Sequence, residues 1–386
     1  MIRIVKTVPP GGAEAIRRLL LASVACAVAG SLLHPAVGGA QVRRLIPGEP
    51  TCAECSVALE PITSLADVGT PASFSDYISI MRGADGQWIV ISPIASHQMS
   101  VFAPSGAFLR IVGRQGAGPG EYRLALPAGV DERGMLHVLD PLNARYTVLS
   151  PDFTPHVETQ LAILRVSSTL LLKSGELVVN AVQRTPQHAG LPLHVLSQRG
   201  WVRSFGRGNV SYRSDSEQVL RRVLAPDTGR TFWASHTSAY VIERWSVDGE
   251  LLAVYSVDAE WFKPWHRRQG PSDVLPAEPT VSGIWPLGED RVLVIIHIGD
   301  ASFRPLAPAG GSGHRTLSGD DAHRIMDTIV DVIDLRRGVV IVRQRFDRVL
   351  YAVRGSAELY GYRGSASGEP QFEIFRPVIS STRRQE

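Results

Sequence analysis

A chain of 386 residues, 44% hydrophobic and 20% charged, has the make-up of a folded globular protein, which excludes a disordered one. Forty Lys and Arg against 37 Asp and Glu leave a formal net charge of +3, and the basic residues are scattered. With no basic run of five or six, nothing in the charge points to nucleic acid.

Residues 1–40 read as an export signal. Lys6, Arg17 and Arg18 form a positive n-region, Leu19 to Leu33 is apolar, and Gly38-Gly39-Ala40 offers small residues for cleavage after Ala40. The apolar stretch is short for a spanning helix, which needs about 20 residues, although retention as an uncleaved anchor stays open. Cleavage leaves a periplasmic or extracellular protein with no membrane span. A segment over 41–56 follows. It contains Cys52 and Cys55, the two cysteines that survive, which in an oxidising compartment are expected to form a small disulfide loop.

Residues 57–386 show strand patterns and no long helical periodicity. Apolar runs begin at Trp88, Met135, Glu176, Thr231, Arg291 and Leu350, between 41 and 60 residues apart. Each is followed by a second run, a tight turn rich in Gly or Asp, and a third run, as in MSVF, Ser105-Gly106 and FLRIVG. A fourth strand per unit fits in the residues left over. A strand order repeated six times at this period predicts an all-β, six-bladed β-propeller with four-stranded antiparallel blades. Ser56 to Asp67 precedes the first unit and is expected to close the ring by adding a strand to the last blade. No second domain is needed, and the expected state is a monomer.

The stretch from Ile111 to Asp152 carries the most specific pattern: Gly118-Pro119-Gly120-Glu121-Tyr122, Pro127-Ala128-Gly129-Val130, Gly134, Val138-Leu139-Asp140 and Asn143-Ala144-Arg145. It resembles an NHL repeat, and more narrowly is similar to exported bacterial six-bladed β-propeller proteins of unassigned function. The match is close over about 40 residues and only a pattern elsewhere. The resemblance implies the fold, and leaves the activity open because propellers host many. Asp140, Asn143 and Arg145 can hold turns locally. Arg114, Gln115, Glu121 and Tyr122 either share that structural task or line a ligand-binding mouth.

Two insertions are candidate recognition loops, since long loops on a rigid scaffold commonly carry binding. Asp258 to Pro279 holds Trp261, Phe262, Trp265, His266, Arg267 and Arg268; Gly299 to His323 holds Phe303, Arg304, His314, Asp320 and Asp321. Trp261, Trp265 and Arg267 either bind a protein, peptide or glycan, or the EWFKPW stretch forms a helical turn packed on a blade and capping the channel. The alternative function is a metal-dependent hydrolase or lyase, lactonase-like or NHL-type, with His137, His236 and His297 converging near the axis on Ca²⁺ or Zn²⁺. The main expectation is a binding module with no metal or cofactor. No Gly-x-Ser-x-Gly elbow, P-loop or GxGxxG occurs.

Overall fold

The structure is a computed structural model that describes residues 42–183, 188–206, 220–266, 276–304, 319–364 and 369–381. The 1–40 signal therefore lies outside the described residues. No helix among them is long and apolar enough to cross a membrane.

Six antiparallel sheets form the blades of a six-bladed β-propeller. Numbered from the N-terminal side, blade 1 is Ser79–Arg82, Trp88–Ile91, Met99–Phe102 and Phe108–Val112. Blade 2 is Leu126–Val130, Leu136–Asp140, Arg145–Leu149 and Pro155–Gln160, and blade 3 is Val166–Leu171, Leu177–Ala181, Leu193–Ser197 and Gly200–Phe205. Blade 4 is Arg222–Pro226, Thr231–His236, Val241–Ser246 and Leu251–Asp258; blade 5 is Thr280–Pro286, Arg291–Gly299, Met326–Asp334 and Val339–Phe346. Blade 6 takes Leu350–Ala352, Leu359–Gly364 and Pro370–Ser381 from the end of the chain, and its outer strand, Cys55–Ala66, from the beginning. That outer strand pairs in register from Cys55 opposite Ser381 to Ala66 opposite Gln371, so the expected ring closure is present.

The burial pattern explains which strands were legible. Second strands such as Trp88–Ile91, Leu136–Asp140 and Leu177–Ala181 are buried at every position, because both faces meet a neighbouring blade. They read as apolar runs, interrupted by His137 and Asp140 in blade 2 and by Asn180 in blade 3. Outer strands such as Pro155–Gln160 alternate between exposed and half-buried residues. The runs expected to open the first five units are these second strands. In each of those blades the inner strand comes before them and had been missed. The sixth run, from Leu350, is itself an inner strand, so the expected repeat is out of step by one strand there.

Inner strands are inconspicuous because six of them crowd one axis and require small residues. A Cβ on Gly129 would lie 2.5 Å from the Leu171 Cβ of blade 3, and one on Gly283 would lie 2.7 Å from the Ile295 Cδ1 and 2.9 Å from the Ala352 Cβ of blade 6. Small and hydroxyl residues replace the large apolar ones that mark a strand in sequence.

Hydrophobic clusters lie between consecutive blades. Leu136 and Val138 pack with Met99 and Val101 between blades 1 and 2; Phe232 and Trp245 pack with Val195 and Phe205 between blades 3 and 4. Phe372 and Tyr360 pack with Trp88 and Phe102 across the seam between blades 6 and 1. Each fully buried Ile, Val or Phe contributes about 1.5–3 kcal/mol, so the seam is stabilised like any other interface.

The 42–54 segment is woven into the propeller rim. Val42–Pro47 adds a fifth strand, parallel to Leu251–Asp258, at the edge of blade 4. The Thr51 and Cys52 N–H groups then donate to Val340 and Ile341 on the edge of blade 5. The Cys52–Cys55 disulfide closes the turn from which the chain enters blade 6.

Candidate functional site: the axial channel

In an antiparallel blade the first strand begins where the second ends and the third begins. Loops entering first strands and loops joining second to third strands therefore share one face, here the upper face. The 113–125 loop and the described ends of both insertions belong to it. The lower face carries short turns such as 83–87, 131–135 and 353–358.

The inner strands enclose a channel with two chambers. The upper chamber, about 240 Å³, is lined by the hydroxyl residues Ser79, Ser167, Ser168, Thr169, Ser282 and Ser356, with Leu170, Ile284, Trp285 and Tyr351 as apolar wall. The lower, about 590 Å³, reaches Arg82, Asp85, Asp131, Glu132 and Lys173. Thr169, Leu170, Trp285, Arg354 and Gly355 border both chambers and form the partition between them.

Arg354 is fixed by its backbone. Its N–H donates to the Ile80 carbonyl, and its carbonyl accepts from the Arg82 N–H, which locks blade 6 to blade 1. Its Nη2 donates to the Thr169 hydroxyl of blade 3, on the opposite side of the axis. Among the described residues no carboxylate pairs with it, and it is the only charged residue lining the upper chamber. Desolvation inside the channel pushes its pKa down to about 10.

The residues of the NHL-like pattern lie elsewhere and hold one another. Arg114–Gln115 and Glu121–Tyr122 form a two-residue parallel ladder in the loop entering blade 2. Arg114 is exposed and ion-paired with Glu121 at 2.9 Å, Gln115 is exposed, and Tyr122 is buried at 1% exposure. Glu121 also accepts from the Gly118 N–H, and these bonds hold its pKa below the usual carboxylate range. Beneath them, Asp140 accepts from the backbone N–H groups of Arg123, Leu124 and Asn143 and from the Asn143 amide. Arg145 donates to the carbonyls of Ala117, Gly118 and Glu121, and to Glu158. The backbone role expected of these residues is thus built in detail.

The EWFKPW stretch, residues 260–265, forms a turn and not a helical one. Trp265 is buried at 7% exposure and donates from Nε1 to the Pro279 carbonyl. Trp261 packs on Tyr240 and Phe262, with the Arg343 guanidinium 4.8 Å from its ring centre. Trp261 is half-buried and packs against the cluster between blades 4 and 5, while the buried Trp265 is held by its backbone N–H on the Ser238 carbonyl as well as by its ring N–H. Arg267 and His314 lie outside the described residues.

The three histidines are not brought together, because each occupies a second strand, one strand out from the axis. Buried His137 contacts the Tyr146 hydroxyl at 2.5 Å and lies 3.7 Å from Asp131; burial lowers its pKa. His236 bonds Glu243 at 2.8 Å, and His297 bonds the Leu350 carbonyl at 2.8 Å. The carboxylates that do gather among the described residues are Asp300, Asp327 and Asp347 on blade 5, where Arg345 already pairs with Asp327.

Fold and channel together define this chain as a six-bladed β-propeller with a hydroxyl-lined axial cavity. No protein-family model matches it, and no curated protein does. Among solved structures it is similar to a candidate exported protein of Bacteroides fragilis, at 12% identity and a TM-score of 0.56, over 88% of this chain and all of the other. It is also similar to a DUF4221-family protein of Bacteroides vulgatus, at 9% identity and a TM-score of 0.58, over 86% of this chain and all of the other. Virginiamycin B lyase of Staphylococcus aureus aligns at 9% identity and a TM-score of 0.45, over 83% of this chain and 99% of its own. The first two likenesses show the fold alone, and the third carries no argument about chemistry.

Proposed function

We propose that the chain is an exported binding propeller that takes its ligand in the axial channel. The observation that carries this reading is the upper chamber, a concave site of mixed apolar and hydroxyl lining with one guanidinium at its floor that no carboxylate pairs with among the described residues. Concave sites that combine an apolar wall with a few convergent polar groups are the usual form of a ligand pocket. Export is supported by the signal-like residues 1–40 and by a disulfide suited to an oxidising compartment. The NHL-like stretch fits the same reading as scaffold: it fixes the loop above the channel while the inner strands provide the lining.

The test is a ligand-observed NMR screen of the 41–386 protein against small molecules, repeated on Ser79→Phe, which fills the upper chamber. Hits displaced by the larger side chain support the channel as the site. Hits that bind the variant unchanged place binding elsewhere and sink the reading.

A further inference from the structure

The upper chamber contains one charged group and several hydroxyls. The Arg354 guanidinium has five N–H donors, and its one side-chain hydrogen bond among the described residues goes to Thr169. A planar guanidinium matches a carboxylate in a bidentate pair, with two parallel N–H···O bonds. A second cation, which a dianion such as phosphate would call for, does not line this chamber: Arg82 and Lys173 border only the lower one. The guanidinium of Arg82 is turned onto the Trp88 ring, 4.0 Å from its centre. In the lower chamber Asp85, Asp131 and Glu132 offset Arg82, Lys173 and Arg354, so that side offers an anion no excess of positive charge.

The rest of the wall selects a body for that head group. Trp285, Tyr351, Leu170 and Ile284 offer apolar and aromatic surface, and about 240 Å³ is the liquid volume of roughly eight waters. That is room for one small ring or short chain.

We infer that the upper chamber binds a small amphipathic monocarboxylate, its carboxylate paired with Arg354 and its apolar body against Trp285 and Tyr351. This rests on the channel being the ligand site. A desolvated guanidinium without a counter-ion is electrostatically incomplete, and a bound carboxylate completes it. The hydroxyl of Thr169 already holds the guanidinium across the axis, so little reorganisation is needed on binding.

The experiment is calorimetric titration of the 41–386 protein with phenylacetate and with its neutral isostere phenylacetamide, with inorganic phosphate as a third probe. The expected result is that the acid binds about tenfold or more tightly than the amide. This preference should disappear in Arg354→Gln and survive in part in Arg354→Lys. Added sodium chloride should weaken the acid and leave the amide unchanged, a readout that needs no variant. A preference retained in Arg354→Gln overturns the inference, as does an absence of binding by the acid at millimolar concentration. Tighter binding of phosphate than of the acid overturns the carboxylate assignment. If acid and amide bind alike and Ser79→Phe abolishes both, the anion inference falls and the channel reading stands. If Ser79→Phe abolishes neither, the channel reading itself falls.

Discussion

Arg354 of blade 6 and Thr169 of blade 3 meet across the propeller axis, joining inner strands 185 residues apart in sequence. The contact divides the channel and places a positive charge where, among the described residues, no carboxylate answers it. An unpaired, desolvated charge costs stability. Replacing Arg354 with Met is therefore expected to leave the fold as stable as before or to raise its stability by about 1–2 kcal/mol. Equilibrium urea unfolding measures this. A loss beyond about 2 kcal/mol would make Arg354 a structural keystone and not a ligand-facing group.

Asp140 and Arg145 stand at the other extreme, buried charges that each hold several partners. Asp140→Ala leaves the Arg123 and Leu124 N–H groups without their acceptor and removes one of the two acceptors of the Asn143 N–H and of the Asn143 amide. The expected cost is about 3 kcal/mol or more. The exposed Arg114–Glu121 pair is the control, and Arg114→Ala should change stability by less than about 1 kcal/mol. Urea unfolding of both variants, with limited proteolysis of the 113–125 loop, checks the contrast. Equal effects would refute the view that this loop is held from beneath.

Ring closure yields an expectation for truncations. A chain beginning at residue 55 keeps the outer strand of blade 6 and should fold. One beginning at residue 67 loses all of Cys55–Ala66, exposes the edge of Pro370–Ser381, and should not give a cooperative thermal transition. The disulfide acts on a smaller scale. The loop-closure relation for so short a loop gives about 2 kcal/mol, so Cys52→Ser with Cys55→Ser should lower Tm by a few degrees. A well-folded chain from residue 67 would show that the seam between blades 6 and 1 closes without this strand.

His194 provides the pH dependence. It is fully buried, contacts the Ala181 carbonyl at 3.1 Å and the Ser204 hydroxyl at 2.8 Å, and burial depresses its pKa to about 4. The unfolded chain, with a histidine pKa near 6.5, takes up the proton first as pH falls. The stability from a neutral His194 is thus complete above about pH 6.5, declines between about 6.5 and 4, and is level below that. The loss amounts to at most about 3 kcal/mol. Denaturation midpoints measured from pH 7 to pH 4 should fall for the native protein and fall less for His194→Gln. Parallel slopes would assign the acid sensitivity to other groups.

The strands most legible in the sequence are those buried on both faces, because burial on both sides favours apolar residues and admits a polar one only with a partner. Trp88–Ile91 and Arg291–Gly299 stand out for that reason, and repetition of such runs was enough for six blades and for closure by the segment near Ser56. The 111–152 pattern was legible as scaffold because Asp140, Asn143 and Arg145 act on backbone within about 30 residues of themselves. The inner strands were not legible: crowding at the axis demands small and hydroxyl residues, which in sequence resemble loops. The channel they line was hidden with them. Trp261 and Trp265 looked like recognition residues because sequence does not tell a tryptophan in a long loop from one folded back into a core. His137, His236 and His297 looked in register because each ends up on a second strand, and a shared strand position is not a shared point in space. Arg354, in an unremarkable Val-Arg-Gly-Ser, gave no local signal. Its place opposite Thr169 exists only once six blades close into a ring, since that closure alone brings blades 3 and 6 across one axis.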